Sequence, residues 1–300
     1  MEIKQLEIFV CVAKKLSFSK AAEDMYISQP TVSAQISALE KSLGAGLLVR
    51  NTKGVSLTKS GEDFLQYAQK ILTLRDQALQ STTGRNKELT GTIDIISSTI
   101  PAQHLLPALI ASYQKSWPNI VFRVEQADSE RVISEIGGFQ YDFGMIGTVP
   151  KSDRFVHYPI YDDEFVLVTP KNFPHNAPAI QKNFTQVIKE FPFIMREAGS
   201  GTRAETENLL TKVGVDINEL KVPAYFADTH SILSAVASGM GVSLVSKVAA
   251  SMYVEAGLLT AVDMNDSRFG RQIHLIYKKE LWLSPSQQAF AEHVRGYYGN

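Results

Sequence analysis

The chain has 300 residues, 44% of them apolar and 20% charged, with one cysteine and a formal net charge of −1. Its length points to two or three domains, and no apolar run reaches the roughly 18 residues that a membrane span needs. The N-terminal MEIKQLEIFVCVAKK lacks the unbroken apolar segment of a secretory signal, and a lone Cys11 excludes an intrachain disulfide, so a cytoplasmic protein is expected.

Charge is unevenly spread. Residues 1–90 carry 12 Lys and Arg against 9 Asp and Glu, net +3, while the rest carry 18 against 22, net −4. That balance permits nucleic-acid binding without demanding it.

Ile3, Leu6, Phe9, Val10 and Ala13 recur at three- and four-residue steps, which predicts an opening helix with one buried face. A second short helix, capped by Ser17 or Ser19, carries Phe18, Ala21, Ala22 and Met25 on one side. The third helix has Ser28 as N-cap, Pro30 in its first turn and Gly44 as its stop. Ile27 before the cap can pair with Val32 as a hydrophobic staple, and Val32, Ile36, Leu39 and Leu43 line the buried side. The other side offers Gln29, Thr31, Ser33, Gln35 and Ser37, hydrogen-bonding side chains on a slim helix that suit base edges in a major groove. A plain solvent-facing polar side is the alternative at this stage.

LLVRNTKGVSLT then reads as a β-hairpin turning at Asn51-Thr52-Lys53-Gly54, with Arg50 and Lys53 placing positive charge on it. A helix-turn-helix followed by a basic hairpin is a winged helix, whose wing lies beside a phosphate backbone or minor groove.

From Leu6 to Leu65 the chain resembles the N-terminal domain of LysR-type transcriptional regulators. The matching positions include Ser17-Phe18, Ala21-Ala22, Ser28-Gln29-Pro30, Ser33, Gln35-Ile36, Leu39-Glu40, Leu43-Gly44, Arg50, Leu57-Thr58 and Gly61. Two positions depart from the pattern: Ala34 stands where arginine is common, and Leu47-Leu48-Val49-Arg50 lacks the usual phenylalanine before its arginine. The resemblance implies a mainly α winged helix-turn-helix over residues 1–58, contacting DNA through Ser28, Gln29, Pro30, Thr31, Ser33, Gln35, Arg50 and Lys53.

Helical character runs on from a Thr58 cap to about Thr83. Leu65, Leu72 and Leu79, and Phe64, Ile71 and Ala78, repeat every seven residues with Ala68 between the rows. Such a stripe usually packs against a partner helix, and packing on its own winged helix is the competing reading. The resemblance favours dimerisation across residues 59–90, which form a linker helix and hinge. A two-fold dimer would address a dyad-symmetric operator in double-stranded DNA.

From Gly91 to the end, strands and helices alternate, predicting a mainly parallel sheet covered on both faces. Strands are expected at 92–97, 120–125, 143–146, 164–169, 193–195, 222–227, 242–245 and 272–277, with a helix over 101–117 among others. Asp142-Phe143-Gly144 and Ser238-Gly239-Met240-Gly241-Val242 resemble motifs of the same family's effector domain. This implies a two-lobed α/β fold of the type II periplasmic-binding-protein kind over residues 91–300. The first lobe covers about 91–162 and 268–300, the second about 163–267.

Ligands of open parallel sheets sit at strand carboxyl ends. There the sequence places Ser98 and Thr99, Thr148, the Ser200-Gly201-Thr202-Arg203 helix start, and Thr229. Glycines, hydroxyls and an arginine at a helix N-terminus suit a carboxylate or other oxyanion, so a small anionic effector is expected. Gly-Ser-Gly-Thr-Arg also occurs in regulators of sulfur or carbon assimilation, and the chain resembles a subgroup linked to sulfur or selenium metabolism.

An enzyme is the main rival class. No phosphate-loop or dinucleotide fingerprint occurs, Gly-Ser-Gly lacks the spacing of Gly-x-Ser-x-Gly, and the six histidines show no metal-ligand spacing. No catalytic residue, metal or cofactor is therefore expected. An extracytoplasmic binding protein is opposed by the winged helix and the missing export signal. Expected partners are DNA, the effector, a second copy of the chain and beyond it a homotetramer implied by the resemblance, and RNA polymerase, but no membrane.

Overall fold

The computed structural model describes residues 1–51, 54–82, 89–138, 140–148, 152–264 and 269–298. Among these no helix is long and apolar enough to cross a membrane.

Three helices open the chain: α1 (Ile3–Lys15), α2 (Phe18–Asp24) and α3 (Gln29–Leu43). Each starts and stops where local chemistry dictates. Ser17 Oγ accepts from the Lys20 N–H, Ser28 Oγ accepts from the Thr31 N–H at 3.3 Å, and Gly44 ends α3 in the left-handed region at φ 68°. Their apolar sides meet in one core built on Leu6, Phe9, Val12, Ala21, Val32, Ile36 and Leu39. Glu40 then fixes the wing, accepting the Leu47 N–H at 2.7 Å and the Leu48 N–H at 3.1 Å. Strands β1 (Leu48–Asn51) and β2 (Gly54–Leu57) form the antiparallel hairpin, closed at Asn51 opposite Gly54.

Helix α4 (Lys59–Thr82) follows a Thr58 cap and extends for about 36 Å at 1.5 Å per residue. Its start is pressed against the wing: a Cβ at Gly61 would stand 2.0 Å from the Leu47 carbonyl oxygen, so only glycine fits. Leu65 and Ala68 are fully buried in the winged-helix core, with Phe64, Ile71 and Leu72 packed beside them. This corrects the reading of the heptad rows as a single partner-facing seam: their first half is claimed by the same subunit. Arg75 of α4 bonds Glu7 of α1 at 2.5 Å, a further tie within the same subunit. The helix stop expected at Thr83 lies outside the described residues.

The remaining chain forms two lobes. The first holds β3 (Gly91–Ser97), α5 (Leu106–Ser116), β4 (Ile120–Gln126), α6 (Ser129–Gly137) and β5 (Phe143–Ile146). The helix expected at 101–117 opens with a π-helical turn, Pro101–Leu105, before α5 begins. Strand β6 (Phe155–Pro170) then crosses into the second lobe, where α7 (Ala177–Lys182), α8 (Phe184–Glu190), β7 (Met195–Arg196), α9 (Gly201–Lys212), β8 (Tyr225–Phe226), α10 (Thr229–Ala237), β9 (Ser243–Ser246), α11 (Lys247–Glu255) and β10 (Leu259–Asp263) lie. Strand β11 (Gly270–Lys278) and α12 (Pro285–Tyr298) return to the first.

The sheet is mixed, which corrects the mainly parallel expectation. Strand β3 pairs parallel with β4 and β5, but β11 runs antiparallel to β5 and β6, as do β9 and β10 to β6. The strands expected at 193–195 and 222–227 shrink to the two-residue pair β7 and β8. Strand β6 is the spine: 16 residues, pairing with β11 over its first part and with β9 and β10 over its second. Two-sided burial in its second half explains the apolar run Phe165-Val-Leu-Val168, all buried.

Candidate DNA-reading face and effector cleft

On α3 the polar side faces solvent. Gln29, Pro30 and Thr31 are exposed with the cap residue Ser28, while Ser33 and Gln35 are half-buried further along. The buried side of the same helix is held by Val32, Ile36 and Leu39, so the helix presents its first turn outward from a rigid base. Tyr26, in the turn before α3, is 95% exposed and held at φ 53°. Arg50 lies in β1, with its side chain outside the description, and Lys53 lies outside the described residues.

The second site is the cleft between the lobes. Four helix beginnings approach it: the π-turn after Ser98-Thr99, α6 after Asp128, α9 after Ser200 and α10 after Asp228. Two of these ends are capped by carboxylates, Asp128 accepting from the Arg131 N–H and Asp228 from the Ser231 N–H, each at 2.8 Å. The α9 end has a neutral cap, Ser200, and the π-turn has no side-chain cap. Positive backbone potential is thus least cancelled between Ser98-Thr99 on one lobe and Ser200-Gly201-Thr202 on the other.

Two arginines line this cleft together with Ser98, Thr99, Ser129, Ser200, Gly201 and Thr202. Arg271, on β11, has a side chain only 6% exposed; its Nε donates to Asp163 at 3.1 Å and its Nη2 to Thr202 Oγ1 at 3.4 Å. Asp163 is nearly inaccessible and also receives the Ser246 hydroxyl. Burial pushes the Asp163 carboxyl above its ordinary range, against the pull of Arg271 and Ser246. Arg196, at the end of β7, donates to Thr229 Oγ1 at 3.3 Å, to the Ala227 carbonyl at 2.9 Å and to Glu197.

The lobes touch. A Cβ at Gly201 would stand 2.6 Å from Ser129 Oγ and 3.6 Å from Thr148 Oγ1, and the cavity left inside measures about 10 Å³, room for about one water.

The residues expected from sequence divide accordingly. Ser98, Thr99, Ser200, Gly201 and Thr202 come together at the cleft. Thr148 sits exposed at its mouth, and Thr229 lies one layer behind, under Arg196. Arg203 turns away: its Nε donates to Glu207 at 2.7 Å and its guanidinium stacks over Tyr225. The expected charge in the cleft is carried by Arg196 and Arg271 in its place. Arg196 stands three residues before Gly199 of the glycine-serine motif and was within reach of a sequence reading. Arg271 carried no local signal, because only the return of β11 beside β6 brings it there.

Among the described residues no group of histidine, cysteine and carboxylate side chains could hold a metal ion.

The comparison with known families decides the class. The description "Bacterial regulatory helix-turn-helix protein, lysR family" matches residues 3–62, and "LysR substrate binding domain" matches residues 86–299. The chain belongs to the LysR family of transcriptional regulators. An uncharacterized HTH-type transcriptional regulator of Methanocaldococcus jannaschii is 33% identical over 98% of both chains. A RuBisCO operon transcriptional regulator of Allochromatium vinosum is 28% identical over 98% of this chain and 95% of its own.

Among solved structures, full-length OxyR from Pseudomonas aeruginosa aligns with a TM-score of 0.74 at 20% identity, covering 98% of this chain and 95% of that one. The effector-binding domain of QuiR, solved with shikimate, covers 70% of this chain and 98% of its own with a TM-score of 0.61 at 19% identity. These likenesses bear out the fold expected from sequence, a winged helix-turn-helix joined to a two-lobed α/β effector domain. The protein is a LysR-type regulator with an effector-binding domain and not an enzyme.

Proposed function

We propose that this LysR-type regulator acts in the cytoplasm as a homodimer or as a homotetramer built from two dimers, reads a dyad-symmetric operator with residues 1–58, and answers to a small anion held between the lobes of residues 91–300. Ser28, Gln29, Thr31, Ser33 and Gln35 meet base edges, Pro30 shapes the helix start, and Arg50 and Lys53 meet phosphates. Pairing uses the outer side of α4 within the 59–90 linker. Tyr67 and Leu74 lie seven residues apart there, 65% and 47% exposed, on the opposite side from Leu65.

The observation that carries the effector reading is the cleft: two neutral or open helix ends, five hydroxyls and two arginines converge on it. Because the lobes are nearly closed around about 10 Å³, an effector must open them or replace the bonds that close them. That difference between two states is what a ligand needs in order to change DNA binding. As to target genes, relatives named for the RuBisCO operon support carbon assimilation over the sulfur or selenium expectation.

The test is a thermal-shift screen of the full chain against sulfate, phosphate and small mono- and dicarboxylates. A bound anion should raise Tm by linkage. Thr202→Ala and Ser98→Ala should each weaken that anion by about 0.5–3 kcal/mol. Unchanged affinity in both variants would mean that the hydroxyls only cap their helices and the ligand lies elsewhere.

A further inference from the structure

We propose that Lys14 is a latch that fixes the DNA-reading unit against the first lobe, and that β3 and β5 connect this latch to the effector cleft. Lys14, in the last turn of α1, reaches across to the lobe, with Nζ 2.8 Å from Asp142 Oδ1 and 3.5 Å from Asp94 Oδ2. Asp142 is 2% exposed. Burial alone would lower the Lys14 pKa, but the two carboxylates outweigh it and hold the ammonium charged.

Polar contacts surround the latch. Gln140 Nε2 donates to the Ala13 carbonyl at 3.2 Å, serving a last-turn carbonyl of α1. Arg123 of β4 lies 3.6 Å from Asp24 of α2. The seam also leaves an open pocket of about 530 Å³ lined by Lys14, Lys15, Lys20, Arg123 and Glu125. A polar, incompletely filled seam between domains is the kind that parts readily. Once parted, Lys14 and the carboxylate oxygens that face it gain water, so the contact has two states, closed and open.

The position of the two carboxylates links this seam to the cleft. Asp94 lies midway along β3, whose far end is Ser97 followed by Ser98 and Thr99. Asp142 immediately precedes β5, whose far end leads to Gly147 and Thr148. The near ends are pinned together, because the Asp94 N–H donates to Asp142 Oδ2 and the Asp142 N–H to the Asp94 carbonyl, both at 2.9 Å. The far ends are pinned as well, the Ser98 N–H donating to the Met145 carbonyl at 2.9 Å. Four residues of strand at about 3.3 Å each separate Asp94 from Ser98, so the pair is a stiff bar roughly 13 Å long with the latch at one end and the cleft at the other. Displacement at the hydroxyl end moves the carboxylates under Lys14. The connection to an effector rests on the proposed function; the latch itself does not.

Amide hydrogen exchange on the full chain tests both parts. Lys14→Gln should speed exchange in peptides covering residues 10–24 by at least threefold, and Lys14→Arg should keep wild-type rates. Gly201→Ala wedges the cleft without a ligand, since its Cβ would stand 2.6 Å from Ser129 Oγ. It should produce the same increase at residues 10–24, and the Lys14→Gln/Gly201→Ala double variant should exceed neither single one. Ser129→Leu serves as a second wedge from the opposite lobe. Wild-type exchange in Lys14→Gln, or faster exchange in Lys14→Arg as well, overturns the latch. Two wedges that leave residues 10–24 unchanged, or that add fully to Lys14→Gln, overturn the connection. Wedges that act while no anion in the thermal-shift screen binds would leave the connection standing and remove the effector reading.

Discussion

The two ends of this regulator use polar side chains in opposite ways. At the start of α3, Gln29 and Thr31 stand in solvent on a helix whose apolar back holds it still. In the cleft, Thr99, Ser200, Thr202 and Arg196 are buried, as is the side chain of Arg271, and the arginines are already bonded to protein partners. On the proposed function, the outward polar groups await a ligand and contribute little to stability without one. Inward polar groups hold the two lobes together, so any ligand must compete with the fold itself. Stability and binding should therefore separate cleanly at the first site and be entangled at the second.

The largest effect should come from Arg271→Met. It leaves Asp163 buried without its cation, and breaking a buried pair from one side typically costs about 3–5 kcal/mol. Denaturant unfolding would measure the loss. A cost under about 1 kcal/mol would show the cleft to be as loosely tied as the DNA-reading face and would dissolve the contrast.

Leu74→Asp examines the outward side at another place. The residue is half exposed on α4, away from the winged-helix core, so unfolding of the monomer should change by no more than about 0.5 kcal/mol. Light scattering should nevertheless report smaller particles, because a carboxylate in a helix-pairing seam would be buried unpaired. An unchanged oligomer would place the pairing surface elsewhere.

Gln29→Ala is the smaller counterpart at the DNA. Operator affinity should fall by about 1–3 kcal/mol while random-sequence affinity and Tm stay near wild type. Equal losses on both DNAs would turn Gln29 into a backbone contact. A drop in Tm would mean that the outward face, too, carries the fold.

This difference between the sites also governs what could be read from the sequence. The winged helix was legible because its signals are local: Ser28 and Gly44 bound a helix by their own backbone chemistry, and Val32, Ile36 and Leu39 mark its back at helical spacing. The cleft was half legible. Hydroxyls and glycines at helix starts are local too, and Ser98, Thr99, Ser200, Gly201 and Thr202 do meet. The cation was not local. Arg203 occupies the expected place in the motif but satisfies itself four residues on with Glu207, one helical turn away. Arg271 enters from a strand some 70 residues downstream, brought in by antiparallel pairing that alternation of strands and helices could not distinguish from parallel. The same limit hid the split in the heptad rows. Spacing shows that Leu65 and Leu72 share a side of α4, but not that their own domain covers it.

The smallest expected effect is a pH dependence that belongs to the inward side. His104, beside the cleft, and His274 and His293, in the first lobe, are each held below the ordinary histidine pKa by burial. His274 Nδ1 and His293 Nε2 are buried with no hydrogen-bond partner, so a proton there would bring a charge with nothing to bond it. For all three, the folded pKa lies below the unfolded value of about 6.5, and on acidification the unfolded chain takes up protons that the folded chain refuses. Their contribution to stability is thus present above about pH 6.5 and lost as the pH falls through and below that value. Asp94 and Asp163, both raised by burial, act in the opposite sense, because on acidification the folded chain takes up their protons before the unfolded chain does. Urea unfolding at intervals from pH 7.5 to pH 5 should show stability falling, and His274→Phe should flatten part of the slope. A stability that stays level or rises toward pH 5 would show that these rings accept protons in the folded state, and that the interior of the first lobe is wetter than its packing implies.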